Sequence, residues 1–142
     1  MKLMFTRMRP EAQIPRYATD GAVGLDLFLC TEGKSVMVPK NSSKLLYTGI
    51  AISLPKGYEA QVRGRSSLSR DGLLVSLGTI DTDYRGEIRV ITHNVSVFDM
   101  TLAKGSAIAQ LVIQKVPRIK LVEVDELDQT ERGFGGFGST NV

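Results

Sequence analysis

The chain has 142 residues, enough for one domain with its own core, and a hydrophobic share of 42% excludes general disorder. The formal charge of +3 comes from scattered Lys and Arg rather than a basic block, which argues against a nucleic-acid partner and suits a small anionic ligand. No apolar run approaches the roughly 20 residues that span a bilayer, and the stretch after Lys2 is too short for a signal peptide, so an intracellular, cytoplasmic protein with no membrane partner is expected.

Residues 3–8 read as a first strand, and Pro10 and Pro15 mark an extended connection after it. Residues 21–29 form an apolar strand carrying one acid, Asp26. Cys30 follows as the single cysteine, which excludes an intrachain disulfide and a cysteine zinc site and reads as a small buried hydrophobe. Residues 36–38 form a short strand that ends at Pro39. Residues 43–54 read as one longer strand, closed by the turn Pro55-Lys56-Gly57. Residues 58–63 alternate, with Tyr58, Ala60 and Val62 on one face of a half-buried strand. Residues 66–71 predict one helical turn, with Ser66 or Ser67 as N-cap and Gly72 as terminator.

Residues 73–80 and 87–92 read as the arms of a β-hairpin. Its tip, 81–86, holds Asp81, Thr82, Asp83 and Gly86, residue types that favour turns. His93, the single histidine, leaves histidine metal sites and Ser-His-Asp triads little to build on and reads as a strand residue near the surface or an interface. Residues 97–102 and 108–116 are further strands around the turn Lys104-Gly105, and 119–124 predicts another before an acidic connection at 123–131. No long segment has a 3.6-residue apolar period, and many short strands at close spacing indicate an all-β sandwich or barrel. Residues 1–131 read as one core, without repeat or second domain, and 132–142 as a glycine-rich end.

Several stretches suggest chemistry. Asp81 directly follows apolar Ile80, which places a carboxylate at a strand end beside a partly desolvated pocket, and Tyr84 adds a flat ring able to wall a pocket for a ring or sugar. A polar turn alone would look the same. Gly64-Arg65-Ser66-Ser67-Leu68 sets an arginine and two hydroxyls at a helix start, where free N–H groups favour phosphate, or else forms an N-capped surface turn. Gln110 sits inside an apolar strand and needs a partner or ligand unless it faces solvent. Gly138-Ser139-Thr140 offers backbone N–H groups to anionic oxygens, and Arg132, Phe134 and Phe137 suit a tail that orders on a ligand, although a floppy terminus is the ordinary fate of such a composition.

Taken in order, the stretches 21–27, 64–68, 78–87, 105–110 and 132–140 resemble the motifs of the trimeric dUTPase family, across about 18–141 of the chain. The resemblance implies an all-β fold, a jelly-roll-like β-barrel (a dUTPase-like β-clip) with one short helical turn and a C-terminal segment exchanged between subunits of a homotrimer. It implies a dUTP diphosphatase that releases dUMP and pyrophosphate, limiting uracil incorporation into DNA and supplying dUMP for dTMP synthesis. Asp81 matches the acid that orients and deprotonates the attacking water. Gly78, Thr79, Ile80 and Arg89 match the hairpin positions that pair with uracil through backbone groups, and Tyr84 matches the ring packed on deoxyribose. Arg65, Ser66, Ser67 and Gln110 match phosphate-binding positions. The tail would be a lid, with Phe137 over uracil and Arg132, Gly138, Ser139 and Thr140 at the γ-phosphate. Mg²⁺ would be the cofactor, held by the triphosphate and waters, with Asp26 acting through water or by fixing its neighbours. Each site would draw its first, second and fourth motifs from one subunit, the hairpin from another and the tail from the third.

Gly64 and Ser67 stand where proline and glycine are frequent in that family, and Ser76-Leu77 where smaller residues often occur. The second motif also resembles dCTP deaminase, a homologous fold. That reaction needs a proton-shuttling glutamate at the position of Ile91, and usually another aromatic at Tyr84, so both residues favour the diphosphatase. A non-catalytic trimeric β-domain is the third class, against which the joint presence of Asp81, Arg65, Gln110 and Phe137 argues.

Overall fold

The computed structural model of the protein describes residues 1–138. In chain order these form β1 (Met4–Arg7), β2 (Arg16–Tyr17), β3 (Leu25–Phe28), β4 (Ser35–Val38), β5 (Ser42–Tyr47), β6 (Ile50–Ser53), β7 (Tyr58–Arg63), α1 (Ser66–Arg70), β8 (Leu73–Val75), β9 (Gly78–Ile80), β10 (Arg89–Asn94), β11 (Met100–Ala103) and β12 (Ala107–Lys115). The all-β expectation with one short helical turn holds. Every ladder is antiparallel: β1 with β6, β11 with β4, β5–β10–β8, and β2–β3–β12–β7–β9. No helix among the described residues is long and apolar enough to cross a membrane.

The alternation read from the sequence sets the core. Leu27, Val62 and Leu111 of the five-stranded sheet meet Leu46, Leu73 and Val90 of the three-stranded one in a single buried cluster. Side chains of this size each contribute about 1.5–3 kcal/mol by leaving water. Polar groups on the buried face are satisfied: Thr92 Oγ1 donates to the Lys44 carbonyl at 2.8 Å, and Asn94 Nδ2 donates to the Val38 carbonyl at 2.9 Å. Cys30 is a free, buried thiol, as expected, and burial, with Glu11 nearby, pushes its pKa up.

Several boundaries differ from the sequence reading. The single strand expected over 43–54 is two strands in different sheets. Gly49 divides them with φ +69°, and a methyl there would meet Ala12 Cβ at 2.6 Å, so only glycine allows this crossing. Thr48 Oγ1 holds the bend by donating to the Ile88 carbonyl at 2.7 Å. The arm expected over 73–80 likewise splits into β8 and β9, which join different sheets. The strand expected over 21–29 shrinks to β3, and the connection before it supplies the short β2 that pairs with β3.

The N-cap of α1 is neither serine but Arg65, in an extended conformation with no side-chain cap bond. Its donor-only guanidinium cannot accept from helix N–H groups and points elsewhere. Gly72 follows the helix with φ +95°, as expected of its terminator. The strand expected over 97–102 begins only at Met100, because Asn94 and Ser96 hold a turn: Asn94 Nδ2 donates to the Phe98 carbonyl at 2.8 Å and the Ser96 N–H to Asn94 Oδ1 at 3.0 Å. No strand forms at 119–124. Ile119, Leu121, Val122 and Val124 lie exposed, with no ladder neighbour among the described residues.

Candidate functional site

The hairpin is open at its end. Its arms pair through Leu73↔Asn94, Leu74↔His93 and Val75↔Thr92, and a last bond runs from the Ser76 N–H to the Ile91 carbonyl at 3.0 Å. Beyond that rung β9 leaves to pair with β7, while Arg89, Val90 and Ile91 stay paired with β5. No ladder joins Gly78–Ile80 to β10, so the facing edges present backbone N–H and C=O groups to the gap between them. The gap is a cleft of about 410 Å³. Gly78, Thr79, Ile80, Asp81, Tyr84 and Arg89 all line it, together with Leu45, Val62, Glu87, Ile88 and Ile91.

The tip is braced from within. The Tyr84 N–H donates to the Asp81 carbonyl at 3.2 Å and its hydroxyl to the Glu87 carbonyl at 3.0 Å. The Tyr84 ring covers Gly86 so closely that a methyl on Gly86 would overlap it. Arg85 closes the outer side, donating to the Thr82 carbonyl at 2.7 Å and the Tyr84 carbonyl at 2.9 Å. Asp81 is exposed at the cleft edge, directly after buried Ile80. Glu87, not singled out from the sequence, anchors the returning arm: Oε1 accepts from the Gly49 N–H at 2.6 Å, and Oε2 lies 3.6 Å from Arg9. The sequence signal for it was a lone acid between Gly86 and Ile88. Leu45 and Val62 were missed because they come from strands remote in sequence.

A second cluster lies on the five-stranded sheet. Register sets Asp26, Gln110 and Arg63 side by side on β3, β12 and β7. Gln110 does not face solvent freely: it is half-buried, and Nε2 donates to the Gly64 carbonyl at 2.8 Å. Arg65 lies with Nε 3.3 Å from Asp26 Oδ1 and donates from a terminal nitrogen to the Ala107 carbonyl at 3.0 Å. Ser66 and Ser67 stand exposed in the first turn of α1. The cluster thus offers a guanidinium, an amide and two hydroxyls, a donor set suited to phosphate oxygens. None of these residues lines the hairpin cleft. Within one chain, the hairpin residues form one group and the Arg65 cluster another.

Among the described tail residues, Arg132 Nε donates to the Gly135 carbonyl at 2.7 Å, and Phe137 is fully exposed at φ +51° beside Gly138. Ser139 and Thr140 lie outside the described residues. Among the described residues, no three His, Cys, Asp or Glu side chains gather as a metal site.

A family model described as dUTPase matches residues 10–141. The deoxyuridine 5'-triphosphate nucleotidohydrolase of Hydrogenobaculum sp. is 50% identical across 100% of this chain and 99% of its own length. That of Helicobacter pylori is 46% identical across 100% of this chain and 98% of its own. Among solved structures, a mutant dUTPase of Staphylococcus bacteriophage 80alpha, described with dUpNHpp, covers 99% of both chains with a TM-score of 0.91 at 24% identity. A mutant dUTPase from phage phi11 of S. aureus, described with a structural Mg(II) ion, has a TM-score of 0.83 at 20% identity and covers 91% of this chain and 100% of that one. At these identities the structural likeness speaks for the fold.

Proposed function

Since the chain belongs to the dUTPase family, we infer that it is a dUTP diphosphatase, cleaving dUTP to dUMP and pyrophosphate. The observation that carries the reading is the open hairpin, whose unpaired backbone edges face one cleft that ends at Asp81 and Tyr84. Uracil enters between the arms and pairs with backbone groups at Gly78, Thr79, Ile80 and Arg89. The narrow gap leaves no space for the thymine methyl. Tyr84, held by its hydrogen bond to the Glu87 carbonyl, packs on the deoxyribose and excludes a 2′-hydroxyl.

Asp81 accepts a proton from the attacking water, a task open to a carboxylate within hydrogen-bond reach. The water oxygen bonds to the α-phosphorus, the bond from that phosphorus to the bridging oxygen breaks, and pyrophosphate leaves with the electron pair. Arg65, Ser66, Ser67 and Gln110 hold the phosphates. None of them lines the cleft of its own chain, which supports a site completed between copies, in a homotrimer. One subunit supplies the Arg65 cluster, a second the hairpin and the third the tail.

The tail, 132–142, serves as a lid on the 1–131 core, with Phe137 over uracil and Arg132, Gly138, Ser139 and Thr140 at the γ-phosphate. Mg²⁺ is the cofactor. The residues present fit an ion bound mainly by triphosphate oxygens and water, with Asp26 the one carboxylate of the Arg65 cluster. When bound, the ion offsets charge on the phosphate oxygens. Asp26 otherwise orients Arg65. Ile91 lines the cleft with an apolar side chain, which supports hydrolysis over deamination, since it cannot carry a proton.

The test is incubation of the purified protein with Mg²⁺ and, separately, dUTP, dCTP, dTTP and UTP. The expected result is dUMP and pyrophosphate from dUTP, with poor turnover of the others. Ammonia from dCTP would establish the deaminase, and equal rates on UTP and dUTP would remove Tyr84 from its role.

A further inference from the structure

We propose that His93 is a positioning residue for the base pocket, setting the separation of the two arms through a Ser43–His93–Ser76 hydrogen-bonded row; this rests on the reading of the hairpin cleft as the uracil site. Alternate residues of a strand share a face, so Arg89, Ile91 and His93 of β10 lie on one side. Arg89 and Ile91 line the cleft, and His93 stands one step behind them. Its Nδ1 lies 2.6 Å from Ser43 Oγ, and its Nε2 lies 2.7 Å from Ser76 Oγ. The hydroxyls rotate to donate or accept, so a neutral imidazole in either tautomer completes the row, one ring nitrogen donating and the other accepting.

Neither serine lines the cleft, but each sits on a segment that leads into one of its walls. Ser43 is on β5, whose Leu45 lies opposite Ile91 and lines the cleft beside it. Ser76 is the last residue bonded to β10 before the chain departs toward β9. The next residue, Leu77, is exposed and gives the departing segment little packing of its own. One imidazole therefore holds the β5 wall and the departure point of the β9 arm at a fixed spacing, directly behind the base. A hydrophobic pocket discriminates one methyl by only about 10–200-fold, so a wall that gives way to the extra methyl erodes the preference for uracil over thymine. Ser43 is exposed and Ser76 half-buried, so water can replace the lost bonds. The effect then falls on geometry more than on stability.

The experiment measures kcat and KM for dUTP and dTTP in wild type, His93→Phe, His93→Gln and Ser76→Ala, with a thermal melt of each. His93→Phe keeps a flat ring but no ring nitrogen. The expected result is a fall of about tenfold in the dUTP-to-dTTP ratio of kcat/KM, drawn from the lower end of that discrimination range. KM for dUTP should rise while kcat stays within about threefold, because Asp81 is untouched. Ser76→Ala should move the ratio in the same direction. His93→Gln carries an amide to the place of Nε2 and should restore most of the ratio, which a bulk-packing role would not explain. If His93→Phe fails to fold, Ser76→Ala, which removes a single half-buried hydroxyl, decides the matter. A selective wild type with an unchanged ratio in Ser76→Ala and in folded His93→Phe overturns the role of His93 alone. A wild type with no preference for dUTP overturns the base-pocket reading, and this inference with it.

Discussion

Gly24 allows Gln110 to reach the Gly64 carbonyl, and a single methyl should break that arrangement. An alanine Cβ at position 24 would stand 3.0 Å from Gln110 Cβ and 3.2 Å from its Cδ, and would run into Oε1. Carbon contacts prefer about 3.5–4.0 Å. The amide can swing away, at the loss of its 2.8 Å bond to Gly64, a net cost of about 1 kcal/mol. The Cβ cannot swing, so β3 and β12 must part slightly, an overpacking cost of about 1–3 kcal/mol. Gly24→Ala should therefore lower stability by about 2–4 kcal/mol. In a Gln110→Ala background the amide is already gone and only the contact with Cβ persists, so the same methyl should cost about 1 kcal/mol less. Urea unfolding of the four proteins of this cycle, at one protein concentration, measures the coupling. Equal costs in both backgrounds would refute the assignment of the strain to Gln110. Steady-state kinetics on the same proteins should show KM for dUTP raised in both single variants if Gln110 holds phosphate.

Asp81→Asn keeps shape but removes the base, so kcat should fall at least roughly 10²-fold while a non-hydrolysable dUTP analogue still binds in equilibrium titration; an unchanged kcat would move the base to Asp26 or Asp83. Mixing inactive Asp81→Asn chains with inactive chains that lack 132–142 should restore part of the activity, since a mixed trimer can hold a site with an intact hairpin and an intact tail, and a fully active monomer by sedimentation would end the shared-site scheme. The buried Cys30 thiol should react with thiol reagents only after unfolding. Because burial raises its folded pKa above the ordinary 9.0, its contribution to stability is complete below that pH and is lost as pH rises through the folded value. Urea midpoints measured from about pH 8 to about pH 11 should decline less steeply in Cys30→Ala than in wild type.

What the sequence made legible was local. Alternation over 58–63 found β7 and its buried Ala60 and Val62, because a half-buried strand writes its period into its own residues. Two splits were not legible, at Thr48-Gly49 and at Ser76-Leu77. In each, apolar residues resume after only a residue or two of Thr, Ser or Gly, too short a break to read as a strand end, while the partner strand changes from one sheet to another. The cause lies in residues distant in sequence: Ala12 against Gly49, and β7 drawing β9 away from β10. The second split matters most, because the cleft exists only where the two arms stop pairing.

The site residues follow the same division. Asp81 and Tyr84 stand in a contiguous stretch, and the structure puts them on one cleft with Gly78, Thr79, Ile80 and Arg89. Arg65, Gln110 and Asp26 were named from separate stretches; register on β3 and β12 pairs Asp26 with Gln110, and the Arg65 guanidinium joins them 3.3 Å from Asp26. No feature of one chain's sequence states that this cluster stays out of the lining of its own cleft, since that depends on how sheets remote in sequence pack. The strand expected at 119–124 shows the same limit from another side. Its apolar residues carry a real tendency to pair and bury, yet Leu121 is 86% exposed, so the partner such a segment needs is not among the described residues of its own chain. Under the trimer proposal a neighbour supplies it, and the same crossing carries Arg132 and Phe137 away from their own cleft. Burial of Leu121 and distance of the tail from its own Asp81 are then one requirement. A substitution such as Leu121→Asp should weaken assembly and activity together, read by sedimentation and by dUTP turnover on the same samples. Lost activity in an intact trimer, or full activity in a dissociated one, would separate the two and break the link between the exposed segment and the shared site.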